Sequence, residues 1–389
     1  MNKNQKLFYT HVFIRDFCQN ANSLGWVYLY ISGMPIWEVF AGWVLFRLIE
    51  SFVCMPLSRR AVVKFNAKKA LLFSLILQGL LLPLFPLSVH STWVFVLLIV
   101  LFSIEDVTYW PIRRNLERQV VKQRDIAQSV GLAGAASVFA QAIGLVAVAF
   151  GLYAHSSTTF ILAGAGLLLS FVPLSLMPFD NIFTPTESQQ PPFFKTLSFG
   201  KGMGGFFKTP IVITLILRGI VQELPSFIMP LLLAYFAVAL VHIGLTLSLL
   251  VLFGFFANIL LALVHDGRRK KILFGLGITS IILFLAFQFF PPSYASVFLL
   301  AFGIVGTPWL CGIEMLGQRF VSKKFSALDG GYFMEFIDDT GRLWAYPLLF
   351  IVLLFGQKNY FYHYVLLLGA VAIAGVLYVM KKYYPEITE

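Results

Sequence analysis

Twelve ionisable side chains lie inside long apolar segments of this sequence, where each needs a chemical explanation. They are eight acids and four arginines, namely Arg15, Asp16, Arg47, Glu50, Glu105, Asp106, Arg218, Glu223, Glu335, Asp338, Asp339 and Arg342. A charge in hydrocarbon costs at least about 2.5–3.5 kcal/mol. Arginines paired with acids could hold helices together, whereas the surplus carboxyls could take up and release protons during a transport step.

A short polar motif occurs twice, with an arginine, a glutamine and a serine spaced four residues apart. The copies are Arg15, Gln19 and Ser23 in the first half of the chain, and Arg218, Gln222 and Ser226 in the second. The surplus of acids mildly favours a cationic or neutral substrate, although the two arginines could bind a carboxylate instead. We expect substrate and protons to contact Arg15, Asp16, Gln19, Glu105, Asp106, Arg218, Gln222 and Glu223.

The segments that carry these residues are those of an integral membrane protein. Of the 389 residues 59% are hydrophobic and 12% are charged, and the mean hydropathy is +0.82. Helices are expected throughout, because an open strand edge leaves backbone groups without partners in lipid. The predicted spans are 7–31, 36–57, 69–87, 91–113, 126–153, 157–178, 209–235, 242–264, 271–290, 294–317, 327–356 and 361–380.

The longest hydrophilic stretch divides the chain in two. Its proline, serine, glutamine and glycine content is typical of a linker. The predicted organisation is an N-terminal six-helix half at 1–179, a cytoplasmic linker at 180–208 and a C-terminal six-helix half at 209–389. Apart from Lys358 and the four arginines within helices, the lysines and arginines fall on one side of this topology. Both termini are therefore expected in the cytoplasm, with the chain in the inner (plasma) membrane.

A basic loop between the eighth and ninth spans carries the motif Asp266, Gly267, Arg268 and Arg269. The equivalent loop after the second span reads KFNAKK, with Lys64 in place of the acid. In this motif, and in the segment YWPIRRNLERQVVKQRDIA, the chain resembles the major facilitator superfamily over nearly its whole length. The resemblance implies an all-α membrane fold of twelve helices in two pseudo-symmetric halves. It also implies alternating access to a central cavity lined by helices 1, 4, 7 and 10.

The resemblance also implies that helix 11 approaches helix 2, and both predicted helices carry charges near mid-membrane. In helix 11 three charged residues lie three, four and seven positions after Glu335, so that they follow one stripe of the helix. Local pairing of Arg47 with Glu50 and of Arg342 with Asp338 is one interpretation. The other is an inter-half charge cluster of Arg47, Glu50, Glu335, Asp338, Asp339 and Arg342.

The sequence thus predicts a secondary transporter of a small organic solute, coupled to protons, working as a monomer in the lipid bilayer. A cation, metal or drug exporter of the same fold and a non-transporting receptor or assembly factor remain alternatives. No catalytic constellation, cofactor motif or histidine pair with metal-ligand spacing is present, so neither an enzyme nor a metal site is expected. The net charge of +11 comes from short loop clusters, which argues against nucleic-acid binding.

Overall fold

The computed structural model describes residues 3–120, 126–177, 209–262, 266–324, 327–355 and 358–388. All secondary structure within these ranges is helical. This confirms the predicted all-α fold. Long apolar segments become helices because a helix satisfies its own backbone hydrogen bonds without water.

The first six helices lie between residues 3 and 177. They are α1 (Lys3–Ile31), α2 (Ile36–Leu48, continued by a π-helical turn Ile49–Cys54 and by Met55–Phe65), α3 (Ala67–Leu81, Leu82–Leu84 and Phe85–Ser88), α4 (Thr92–Val120), and α5 and α6, which share Ile126–Ser175. The last two meet at His155, whose φ of −151° and ψ of 81° break the helix. This kink lies between the predicted spans that end at 153 and begin at 157.

The remaining six helices lie between residues 209 and 388. They are α7 (Pro210–Glu223, a π-helical turn Leu224–Ile228 and Met229–Tyr235), α8 (Leu240–Ala262), α9 (Asp266–Ala286), α10 (Ala295–Lys324), α11 (Ala327–Phe355) and α12 (Lys358–Thr388). Both π-helical turns adjoin a buried acid, since Glu50 lies in the first and Glu223 immediately precedes the second. Such turns are rare and frequently occur at functional sites.

By length and composition, nine helical stretches of the described residues could cross a membrane. One of them, Ser137–Ser175, contains the kink at His155 and so includes parts of both α5 and α6. α1 and α11 are absent from the nine, and both carry polar and charged side chains along their length. α1 and α11, the two helices that do not meet the hydropathy criterion, are thus among those that carry the buried acids and arginines.

The chain forms two compact units. One comprises Met1–Gln190 with Val238–Ser248, and the other comprises Pro191–Ala237 with Leu249–Glu389. In the first unit α1 packs along α5 and α6, while α4 packs on α2 and α3. In the second unit α7 packs on α10, α11 and α12. The half and linker boundaries expected from the sequence stay a prediction.

Candidate functional site

The first unit contains a complete buried ion pair between α1 and α4. Both guanidinium nitrogens Nη1 and Nη2 of Arg113 donate to the two carboxylate oxygens of Asp16, each at 2.8 Å. The hydroxyl of Ser137 on α5 donates to Asp16 Oδ2 at 2.5 Å. Asp16 is 1% exposed and Arg113 is 8% exposed. This two-point geometry suits a structural clamp that joins three helices.

Beside this clamp, Arg15 and Glu105 face each other without a hydrogen bond. Arg15 Nη2 lies 3.8 Å from Glu105 Oε1, and both side chains are fully buried. Among the described residues, neither carboxylate oxygen of Glu105 has a hydrogen-bond partner, and neither has Nε or Nη2 of Arg15. The guanidinium of Arg15 lies 3.6 Å from the centre of the Tyr109 ring and 4.7 Å from that of Trp110. Donors and acceptors without partners among the described residues therefore lie side by side in a buried environment.

A second arginine reaches α4 from α2. Arg47 Nη1 donates to Glu50 Oε2 at 2.6 Å and lies 3.4 Å from Asp106 Oδ2. The indole nitrogen of Trp110 donates to the other oxygen of Asp106 at 2.8 Å. The predicted local pair of Arg47 with Glu50 is present, and Asp106 extends it to a second helix.

In the second unit, the repeat-related Arg218 on α7 is fully hydrogen-bonded. Its Nη1 donates to Asp338 on α11 and its Nη2 to Glu314 on α10, both at 2.7 Å. Its Nε donates to the backbone oxygen of Leu310 at 3.2 Å. Arg15 and Arg218 therefore share a sequence motif but differ in environment, because only Arg15 keeps donors without partners among the described residues.

A second link joins α7 to α11. Arg342 lies between two acids, with Nε 3.2 Å from Glu223 Oε2 and Nη1 2.9 Å from Asp339 Oδ1. The hydroxyl of Tyr346 donates to Glu223 Oε1 at 2.5 Å. All four side chains lie inside the second unit, where they and the Arg218 pair hold the two helices together.

The structure shows two ion pairs that the sequence did not predict and corrects a third pairing. Arg113, which begins the basic cluster of the segment YWPIRRNLERQVVKQRDIA, lies in α4 and pairs with Asp16. Glu314 on α10 pairs with Arg218 on α7. The expected pair of Arg342 with Asp338 is wrong, because Arg342 takes Asp339 and Glu223 while Asp338 takes Arg218.

The expected surplus of unpaired acids is also largely absent among the described residues. Arg15, Arg47, Arg218 and Arg342 each lie within 4 Å of two carboxylates, so four arginines serve eight. Sharing of this kind keeps most carboxylates near a positive charge, as burial requires. Glu105 differs from the other seven, since neither of its carboxylate oxygens has a hydrogen-bond partner among the described residues.

The two glutamines of the repeated motif have different partners. Gln19 accepts a hydrogen bond from Gln78 of α3. The side-chain oxygen of Gln222 has no hydrogen-bond partner in the described part of the chain. The side chains of Asp266, Gly267, Arg268 and Arg269 lie outside the described residues, although the backbone of α9 begins there. Glu335 is buried in α11.

No group of three or more histidine, cysteine, aspartate or glutamate side chains within the described ranges could hold a metal ion. Asp16 in particular is committed to Arg113 and Ser137. The arrangement instead holds buried charges in pairs and leaves the Glu105 carboxyl without a hydrogen bond among the described residues.

Comparison with known proteins gives one family and one fold. The sequence profile described as Major Facilitator Superfamily matches residues 15–345. No curated protein matches the sequence.

Among solved structures, a mutant of the nucleoside transporter NupG is similar at a TM-score of 0.75 with 13% identity, over 98% of this chain and 100% of that one. A bacterial homologue of the iron transporter ferroportin matches at a TM-score of 0.68 with 15% identity, over 99% of this chain and 100% of that one. The transporter FucP matches at a TM-score of 0.66 with 14% identity, over 98% of this chain and 99% of that one. At these identities the likeness concerns the fold.

Proposed function

Because this chain belongs to the Major Facilitator Superfamily, and is a transporter and not an enzyme, we propose that it moves a small polar organic solute across the membrane together with protons. The observation that carries the proposal is the environment of Glu105. Its carboxyl is fully buried, has no hydrogen bond among the described residues, and lies 3.8 Å from the guanidinium of Arg15, whose Nε and Nη2 also lack hydrogen-bond partners there.

Such a carboxyl links protonation to conformation. An ionised carboxylate that leaves water without gaining hydrogen bonds loses several kcal/mol of solvation, whereas the neutral acid loses far less. A state in which Arg15 bonds directly to Glu105, or in which water reaches it, favours the ionised form instead. A group whose charge is tolerated in one state and not in another makes a conformational change depend on the proton.

The charge balance of the buried cluster around Arg15 and Arg47 favours a neutral or zwitterionic solute. The arginines Arg15, Arg47 and Arg113 face the acids Asp16, Glu50, Asp106 and Glu105. With Glu105 protonated, three positive charges meet three negative ones. A solute with a net charge would then leave one charge uncompensated in a dry site, which is costly. Donors of Arg15 and the flat ring of Trp110 suit a polar, partly planar molecule.

The rest of the predicted binding set belongs to the same proposal. Arg15, Asp16, Gln19, Glu105 and Asp106 would act from the first half, and Arg218, Gln222 and Glu223 from the second. Alternating access would expose the solute to each side in turn. The contacts of Arg47, Glu50, Asp338, Asp339 and Arg342 described above lie within one helix or join helices of one unit. The inter-half charge cluster therefore stays a prediction.

A cation or drug exporter remains the second candidate, because acids outnumber arginines in the described membrane segments. A thermal-shift screen of the purified protein against neutral, zwitterionic, cationic and anionic metabolites separates the candidates. The proposal expects stabilisation by neutral or zwitterionic compounds that depends on pH. Stabilisation by organic cations alone favours export. If no compound of any charge class stabilises the protein, a receptor or assembly factor is favoured.

Substituting Glu105 with glutamine tests the coupling. Once a solute is identified, Glu105→Gln should reduce protonophore-sensitive accumulation in vesicles at least about tenfold while exchange of solute across the membrane continues, because only net transport needs the proton. The control is Glu38→Gln, which alters a partly exposed acid at the start of α2. Wild-type accumulation by the Glu105 variant contradicts the assignment.

The orientation is part of the proposal and has its own test. With both termini in the cytoplasm, alkaline phosphatase fused after Leu87 or Phe290 should be active, and fused after Lys69 or Lys271 inactive. The enzyme folds only outside the cytoplasm, where its disulfides form. The reverse pattern at any two of the four sites refutes the predicted topology.

A further inference from the structure

His11 is a buried imidazole on α1 for which neither the sequence motifs nor the proposed transport step gives a role. It is 1% exposed and contacts two other helices. Its Nδ1 lies 2.9 Å from the backbone oxygen of Ser170 on α6, and its Nε2 lies 3.0 Å from the hydroxyl of Tyr109 on α4. A carbonyl oxygen can only accept, so Nδ1 carries the hydrogen and Nε2 of the neutral ring accepts from Tyr109.

The same tyrosine forms the surface on which Arg15 rests. The Arg15 guanidinium carbon lies 3.6 Å from the centre of the Tyr109 ring, well within the range of a cation–π contact. When the tyrosine hydroxyl donates to His11, electron density on the ring rises and the contact strengthens. The hydrogen bond from its hydroxyl to His11 also holds the Tyr109 ring in place against α1.

These contacts form one chain from α6 to the unbonded carboxyl. It runs from the Ser170 carbonyl through His11 and Tyr109 to Arg15. Nη2 of Arg15 lies 3.8 Å from Oε1 of Glu105, too far for a hydrogen bond. A guanidinium free of this support could move the remaining distance and make a direct hydrogen bond, which is about 2.7–2.9 Å for a charged pair.

We propose that His11 is a positioning residue, which acts through the Tyr109 hydroxyl to hold Arg15 on the tyrosine ring and so keeps Arg15 and Glu105 from closing into a hydrogen-bonded pair. The inference rests on the proposed function in that Glu105 is taken as the proton-carrying group. The charged and titratable groups near the imidazole are Arg15 and Asp16 on its own helix and Tyr109 and Arg113 on α4, whereas α6 offers the Ser170 carbonyl.

The test needs no substrate. Infrared difference spectra of the purified full chain in phosphatidylcholine vesicles, recorded as a function of pH, follow the carbonyl stretch of a protonated carboxyl. The band that disappears in Glu105→Gln belongs to Glu105. We expect His11→Leu and Tyr109→Phe each to move the midpoint of that band by about one pH unit towards acid, since the released Arg15 then stabilises the carboxylate.

Two further variants separate positioning from general packing. His11→Gln keeps an acceptor for the tyrosine hydroxyl and should retain the wild-type midpoint. The double variant of His11→Leu and Tyr109→Phe should shift the band no further than either single one, because both remove the same bond. If His11→Leu does not fold, Tyr109→Phe, which removes a single atom, carries the test.

The outcomes are distinct. A Glu105 band that titrates in the wild type but keeps its midpoint in Tyr109→Phe overturns the role of His11 and leaves the proposed coupling intact. Additive shifts, or a His11→Gln midpoint that moves with that of His11→Leu, also overturn it. If no band disappears in Glu105→Gln, both the coupling and the role of His11 are wrong.

Discussion

Replacing Arg113 with methionine is expected to destabilise the protein by about 3–5 kcal/mol, the usual cost of leaving a buried charge without its partner. Asp16 would keep the Ser137 hydroxyl and a contact with Arg15 at 3.4 Å, but lose both 2.8 Å hydrogen bonds. Arg15, drawn towards Asp16, would leave Glu105 further from a positive charge. The measurement is the apparent unfolding temperature of the purified variant in detergent, with the folded yield from size-exclusion chromatography.

The matched control is Arg60→Met, which removes an exposed arginine from α2 and should change the unfolding temperature little. Combining Arg113→Met with Asp16→Leu should recover much of the lost stability, because two apolar side chains can replace a buried pair at small cost. Equal effects of the Arg113 and Arg60 substitutions, or a double variant worse than both single ones, contradict the clamp.

The fold follows from local features of the sequence, and the pairing of the site does not. Apolar runs of helical length predict the spans, and the kink at His155 falls between the two spans predicted there. Arg113 looked like a loop charge because it begins a basic cluster at the end of an apolar run. Whether such a residue turns inward depends on Asp16, almost a hundred positions away, and on nothing in the neighbouring sequence.

The choice between adjacent acids shows the same limit. Asp338 lies four residues before Arg342 and Asp339 lies three before it, so the helical spacing allows either acid to pair with Arg342. Neighbouring positions on a helix point about 100° apart, however, so only one can face α7. Asp338 does so and meets Arg218, which leaves Asp339 for Arg342. Only the rotation of α11 against α7 decides this, and that rotation depends on packing along the whole interface.

A glycine at position 341 fixes that rotation, and Gly341→Ala is expected to lower the apparent unfolding temperature by at least about 5 °C. A Cβ at this position would lie 2.1 Å from the backbone oxygen of Ile216 on α7 and 2.9 Å from its carbonyl carbon. A backbone carbonyl cannot turn aside as a side chain can, so the helices must separate. Separation would also stretch the links of Arg218 to Asp338 and of Glu223 to Arg342, both of which span the same two helices.

Two glycines in other settings provide the comparison. Gly317 would place its Cβ 2.6 Å from the end of the flexible Leu215 side chain, which can move, and Gly317→Ala should cost much less. Gly275 on α9 has nothing within 4 Å of a Cβ, so Gly275→Ala should be neutral or stabilising by up to about 1 kcal/mol through helix propensity. The expected order of unfolding temperatures is therefore Gly275→Ala, Gly317→Ala and Gly341→Ala, from highest to lowest. If Gly341→Ala unfolds at the temperature of Gly275→Ala, α7 and α11 do not depend on this close approach.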